Sequence, residues 1–293
     1  MRNGVRVCWS SRDYTNGRAD VFHQSLMTSD RLLPIGRLFF AAAFIGFGAE
    51  HFLFQDFVTG RAPAWPGALP GRAAGAWLSG IVMLGVSAAV LGKRYARQAA
   101  LLAAALILGW ALLRHLPVMA ADVLFASSWT RGGKALVLIG GALVLAGTSP
   151  VVSAARITPL LTVVNLRDEF IAFGRYALGA FLLLTGTQHF LHTPFVASLI
   201  PGWFPGDPIF WTYFGGVALL GGGLGLLSRR TAWLAAVMSG MMVFSWFWII
   251  HLPRTLDGVS DSIAVFEALA VSGIAFMVAG ADGSAKGSAR QAS

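Results

Sequence analysis

Apolar runs long enough to cross a bilayer, separated by charged residues, dominate this sequence. A helix needs about 20 mostly apolar residues to span a hydrocarbon core of roughly 30 Å. Stretches near 32–54, 73–92, 98–116, 133–151, 173–192, 209–227, 231–251 and 262–280 qualify. Arg72 and Lys93 bound the second, Lys134 and Arg156 the fourth, and Asp207 and Arg229 the sixth. Of 293 residues, 56% are hydrophobic and only 12% charged, and the mean hydropathy is +0.68. So few charges cannot cover a water-facing surface, and the apolar side chains must face lipid or one another. The expected fold class is all-α, a polytopic integral membrane protein with eight transmembrane helices. The same composition excludes a soluble enzyme and a disordered chain. With Cys8 as the sole cysteine, an internal disulfide, a CxxC pair and a Cys-ligated cluster are excluded as well.

An internal repeat refines the expectation. Residues GAEHFLFQDFV (48–58) recur as GTQHFLHTPFV (186–196), a shift of 186 − 48 = 138. At that shift Gly36 and Arg37 fall on Gly174 and Arg175, and Pro63 and Trp65 on Pro201 and Trp203. At a shift of 136, Lys93 and Arg94 fall on Arg229 and Arg230, Trp110 on Trp246, and His115-Leu116-Pro117 on His251-Leu252-Pro253. Shared Leu or Ala would mean little here, whereas matched His, Trp and Pro are informative. Two parallel four-helix repeats follow, 31–155 and 156–280, related by an axis along the membrane normal. They lie between a polar, basic tail (1–30) and a solvated tail (281–293), both expected to be disordered. The abrupt change to RLLPIGRLFF makes Met27 a candidate start beside Met1.

Orientation follows from the distribution of Lys and Arg. With the N-terminus inside, the inner segments hold most of them, including Lys93, Arg94, Arg229 and Arg230 in the turns between second and third helices. The expected location is the inner (plasma) membrane, multi-pass, with both termini cytoplasmic. On this reading the formal charge of +9 is a topology signal. The lipid bilayer is then the partner, and no nucleic acid is needed.

Candidate chemistry gathers toward the outer face. His51 and His189 end the first helix of each repeat, and His115 and His251 end the third. At 1.5 Å per residue, Arg37 to His51 spans about 21 Å, Arg97 to His115 about 27 Å and Arg230 to His251 about 32 Å. The first-helix histidines therefore sit below the outer interface and the third-helix ones near it. Three roles fit such histidines: hydrogen bonding to free helix-end carbonyls, polar contact with a quinone or similar amphiphile, or ligation of haem or another metal. No HxxxH or HExxH spacing points to a metal locally.

Glu50, Arg114 and Glu267 interrupt apolar stretches, and ionisable groups at that depth are functional candidates. A shift of 133 aligns Lys134 with Glu267 and Gly140 with Gly273. One repeat then carries Glu50 and Lys134, the other Gln188 and Glu267, a pattern that a contact between these positions within each repeat would permit. Without a nearby cation, Glu267 would favour its neutral form and could relay protons. The loops FVTGRAPAWPGALPG and FVASLIPGWFPGDP, too apolar for free aqueous loops, are expected to cap a pocket or to sit in the interface, with Trp65 and Trp203 at headgroup level.

These motifs together resemble the DoxX-like membrane proteins. Gly186, His189 and Phe190 form the Gly-x-x-His-Phe end of the first helix. Pro201, Trp203 and Pro205 form the following loop pattern, and His251 and Pro253 the His-x-Pro end of the third helix. The first repeat departs from this in its loop, where Ala-Trp-Pro stands. The resemblance covers about 34–150 and 172–280. It implies a quinone-linked redox role, since the family includes the membrane subunit of a thiosulfate:quinone oxidoreductase; direct electron transfer from thiosulfate would require a separate electron-accepting centre or a redox partner subunit. A small-solute transporter or a structural membrane module is the alternative.

Overall fold

A computed structural model describes residues 11–57, 70–150, 166–257 and 262–291, with side chains placed between Arg31 and Asp282. Among these residues all regular structure is helical. The eight long helices are α1 (Ser11–Phe54), α2 (Arg72–Gly92), α3 (Ala96–Ala121), α4 (Ala126–Gly147), α5 (Arg167–Leu191), α6 (Pro208–Leu227), α7 (Ala232–Leu256) and α8 (Ser262–Gln291). Each contains a segment long and apolar enough to cross a membrane. The helical backbone of α1 also continues through 11–30, and that of α8 to Gln291, segments that composition alone leaves as polar tails. The α8 extension contains no proline and propagates from an already nucleated helix, whereas that of α1 joins the apolar part across Pro34, which lacks the N–H for one i−4 bond.

Consecutive helices pack against each other from α1 to α8, and α8 returns to pack along α1, closing the ring. In addition α8 crosses α4 and α5. Burial ranks the helices accordingly: 78% of the apolar segment of α8 is buried, against 22% for that of α7. The centre of the bundle is thus α8 with α4, flanked by α1 and α5.

Small residues allow the closest crossings. A Cβ on Gly36 would lie 2.5 Å from the Gly273 carbonyl oxygen, and one on Gly174 would lie 2.6 Å from that of Gly140. The α1/α8 and α4/α5 crossings therefore use glycines that align in the sequence. At the same end of these helices, arginines bind the free carbonyls of helix C-termini. Arg37 donates to the Thr148 carbonyl, Arg97 to that of Ala146 at 3.1 Å and Arg175 to that of Leu226 at 2.9 Å.

Neither α3 nor α7 is a regular α-helix. Each contains one π-helical turn, Ala111–His115 and Phe247–His251, in which Leu116 N–H bonds the Ala111 carbonyl and Leu252 N–H bonds that of Phe247. The cause lies just beyond, at Pro117 and Pro253: each lacks the N–H for a normal i−4 bond, and its ring crowds the carbonyl four residues back. Widening the turn relieves that conflict and sets the orientation of the histidine that closes it.

Candidate functional site

A cavity of about 1120 Å³ opens among α4, α5, α6, α7 and α8. Its floor is apolar, formed by Phe181 and Leu182 of α5, Leu219 of α6, Val243 of α7 and Val271 of α8. Polar groups ring its upper part: Gln188, His189 and His192 from the end of α5, His251 from the π turn of α7, Arg131 and Lys134 from α4, and Glu267 from α8. The chain from His192 to Trp211 covers the mouth. It turns through a short helix, Thr193–Ala197, and enters α6 at Asp207, whose side chain caps the helix by accepting from Ile209 N–H at 2.9 Å, with Pro208 in the first turn. Gly206 holds φ near 93°, which only glycine adopts freely, and Trp211 locks the turn by donating Nε1–H to the Pro205 carbonyl at 2.7 Å.

His189 sits where the helix geometry puts it. Its Nδ1 lies 2.8 Å from the Thr185 carbonyl one turn back, so Nδ1 carries the proton and Nε2 is left as an acceptor. The Trp246 ring lies alongside, with centroids 6.0 Å apart. Gly215 leaves open the space beside Nε2, where a Cβ would come within 3.6 Å of the imidazole.

His51 repeats the first part of this geometry and not the rest. Its Nδ1 lies 2.6 Å from the Phe47 carbonyl, but the residue is only 2% exposed. Phe57 packs edge-on to His51, with ring centroids 6.1 Å apart, and lies 4.2 Å from Trp110 between centroids. Arg114, also buried, lies over both Phe57 and Trp110. His115 is buried at 3% exposure. At aligned positions the second half has Phe195 for Phe57 and Ile250 for Arg114; Phe195 is exposed and lines the cavity mouth.

Asp56, which sequence reasoning missed, anchors the first-half arrangement. Its carboxylate accepts from the Arg72 guanidinium at 2.5 and 3.0 Å and from Phe57 N–H at 2.8 Å. Burial pushes its pKa up, but the hydrogen bonds from Arg72 and Phe57 and the charges of Arg72 and Arg114 outweigh this and hold it below the usual carboxylate range. Asp56 aligns with Pro194, so the repeat itself gave no signal for it.

The carboxylates pair differently from the within-repeat contact expected of them. Lys134 Nζ meets Glu267 Oε2 at 2.5 Å, joining aligned positions of α4 and α8 across the centre of the bundle. Glu267 therefore has a cation beside it, and the premise of a neutral relay is lost. Glu50 accepts a hydrogen bond from Ser262 Oγ at the start of α8. Gln188, aligned with Glu50, accepts from Thr130 Oγ1 at 2.8 Å and donates to the Ala126 carbonyl at 3.1 Å at the start of α4. The error was one of topology: the first helix of each half lies against the fourth helix of the other.

Of the two loop tryptophans, Trp65 lies outside the described residues. Trp203 is 63% exposed and packs edge-on against Phe204, and it is Phe204 and Trp211 that line the cavity. Among the described residues no three His, Cys, Asp or Glu side chains gather to hold a metal ion. Arg131, also missed, lies one turn before Lys134 on the same face of α4, a spacing that would have revealed it once the face was known.

A family model described as a domain of unknown function (DUF8561) matches residues 178–279. That span runs from within α5 to within α8 and includes His189, His251 and Glu267. No curated protein and no solved structure matches the chain.

Proposed function

We propose that the chain is an inner-membrane protein of two parallel four-helix repeats, with both termini cytoplasmic, whose second half binds a quinone-like redox amphiphile in the cavity beside His189. The observation that carries this reading is the cavity itself: an apolar floor, a polar upper ring and an imidazole whose Nε2 is available as an acceptor. The paired glycine crossings, the paired π turns and the basic residues at one end support the two-repeat arrangement and its orientation. The DoxX-like motifs around His189 and His251 support the quinone class.

In this role the floor receives the ring or tail, and the Thr185 carbonyl fixes the tautomer of His189 so that Nε2 accepts a hydroxyl proton from a quinol. His251 supplies a second polar contact. Electrons leave to an acceptor on a partner subunit, since imidazole moves protons and not electrons.

The test is quinone binding to the purified chain, read by quenching of tryptophan fluorescence, for which Trp246 and Trp211 at the cavity are natural reporters. His189→Ala should weaken binding by roughly tenfold, the loss of one good hydrogen bond with its cavity contacts. Unchanged affinity would sink the assignment. The large volume of the cavity also favours a solute-transporter reading. Uptake of a polar solute by proteoliposomes, without quinone binding, would establish that one instead.

A further inference from the structure

We propose that the occupant of this cavity carries one negative charge on an otherwise apolar body, and that Arg131 receives the charge. The inference rests on the ligand-cavity reading and specifies the class of molecule.

Three formally charged side chains line the cavity: Arg131, Lys134 and Glu267. Lys134 and Glu267 satisfy each other at 2.5 Å. Arg131 is close enough to feel the charge of Glu267, but among the described residues no hydrogen bond or ion pair is made by its guanidinium. Among the described residues, two cations against one carboxylate leave one positive charge uncompensated. Partly buried beside an apolar cavity, such a charge needs a counter-ion or water.

The neighbouring polar groups do not meet that need. The Gln188 amide oxygen is taken by Thr130, and its nitrogen by the Ala126 carbonyl. The Arg131 guanidinium offers donors in a planar fork that matches the paired oxygens of a carboxylate or phosphate. Nor is Arg131 explained by the fold, because at the shift that aligns Lys134 with Glu267 it falls on Ala264, which lines the same cavity without a charge. The cation belongs to one side of one cavity.

Below it, Phe181 lies 189 − 181 = 8 residues before His189 on α5, about 12 Å deeper. That depth suits an apolar body beneath an acidic head. The shared chemistry is an anionic oxygen head group, found in an ionised hydroxyquinone or in a lipid acid.

The experiment uses the full chain in nanodiscs and two pairs of probes, each sharing one apolar body. The first pair is a hydroxynaphthoquinone, ionised at neutral pH, and the unsubstituted naphthoquinone; the second is decanoate and decanol. The anionic member of at least one pair should bind roughly tenfold more tightly, Arg131→Gln should erase the preference, and Arg131→Lys should keep part of it. Thermal melting of each variant checks that it folds.

A preference confined to the naphthoquinones supports both the charge and the quinone class. A preference confined to decanoate supports the charge and overturns the quinone class. If the neutral probes bind equally well, or Arg131→Gln leaves a preference intact, the charge inference is overturned while the cavity reading stands. If no probe binds, both fall.

Discussion

Two histidines with the same backbone hydrogen bond are placed in different surroundings, and single substitutions should separate them. His51 is enclosed by Phe57 and the α2 backbone, so His51→Ala removes packing and should cost about 2–4 kcal/mol of stability with ligand affinity unchanged. His189→Ala opens further a site already open and should show the reverse pattern, measured by melting and by fluorescence titration. Asp56 predicts a pH dependence. Its folded pKa lies below the unfolded value, so the stability it contributes is present above the usual carboxylate range and is lost as pH falls through the lowered value. Asp56→Asn should therefore melt lower than the parent at pH near 7, and the gap should narrow progressively below about pH 4. The matched histidines were legible because chance rarely repeats His and Trp. Phe57 and Asp56 were not, because filling a pocket from within depends on which wall a side chain reaches.

At the level of helices, contact distance discriminates among glycines that look alike in sequence. A Cβ on Gly174 would meet backbone at Gly140 and the Val144 side chain, neither of which can yield without moving α4 from α5. Gly174→Ala should destabilise the fold by roughly 1–3 kcal/mol. Gly85, exposed on α2 with nothing near its missing side chain, is the control: Gly85→Ala should leave stability unchanged within about 0.5 kcal/mol, or raise it slightly. Thermal unfolding in detergent compares the two directly. Helix number was readable from charge punctuation, but limits were missed by up to seven residues, as at the start of α4, and the helical extensions of α1 and α8 were not read at all. The π turns were not, although their proline was in view at Pro117 and Pro253. A proline can equally kink or end a helix, and tertiary packing decides which.

For the whole bundle, the informative contact is between α4 and α8. Lys134→Met leaves Glu267 partly buried without its hydrogen-bonded cation and should cost about 2 kcal/mol, between the limits for exposed and buried pairs. The charge-reversed double variant, Lys134→Glu with Glu267→Lys, should recover most of that loss in the same melting experiment. The alignment of positions 134 and 267 was visible in the sequence, but their contact was not, because a repeat reveals equivalence and says nothing about which unit supplies a neighbour.

On the proposed two-repeat reading, the pair also bears on why the two units differ. Positions equivalent by repeat face each other at the centre, so two identical units assembled there would set lysine against lysine or carboxylate against carboxylate. Opposite charges at this place suit only an unlike couple. Expressed as separate polypeptides divided between α4 and α5, the halves should assemble one of each, and neither with a copy of itself, a stoichiometry readable by native mass spectrometry. On that reading, two units distinguished in this way could no longer be replaced by two copies of either one.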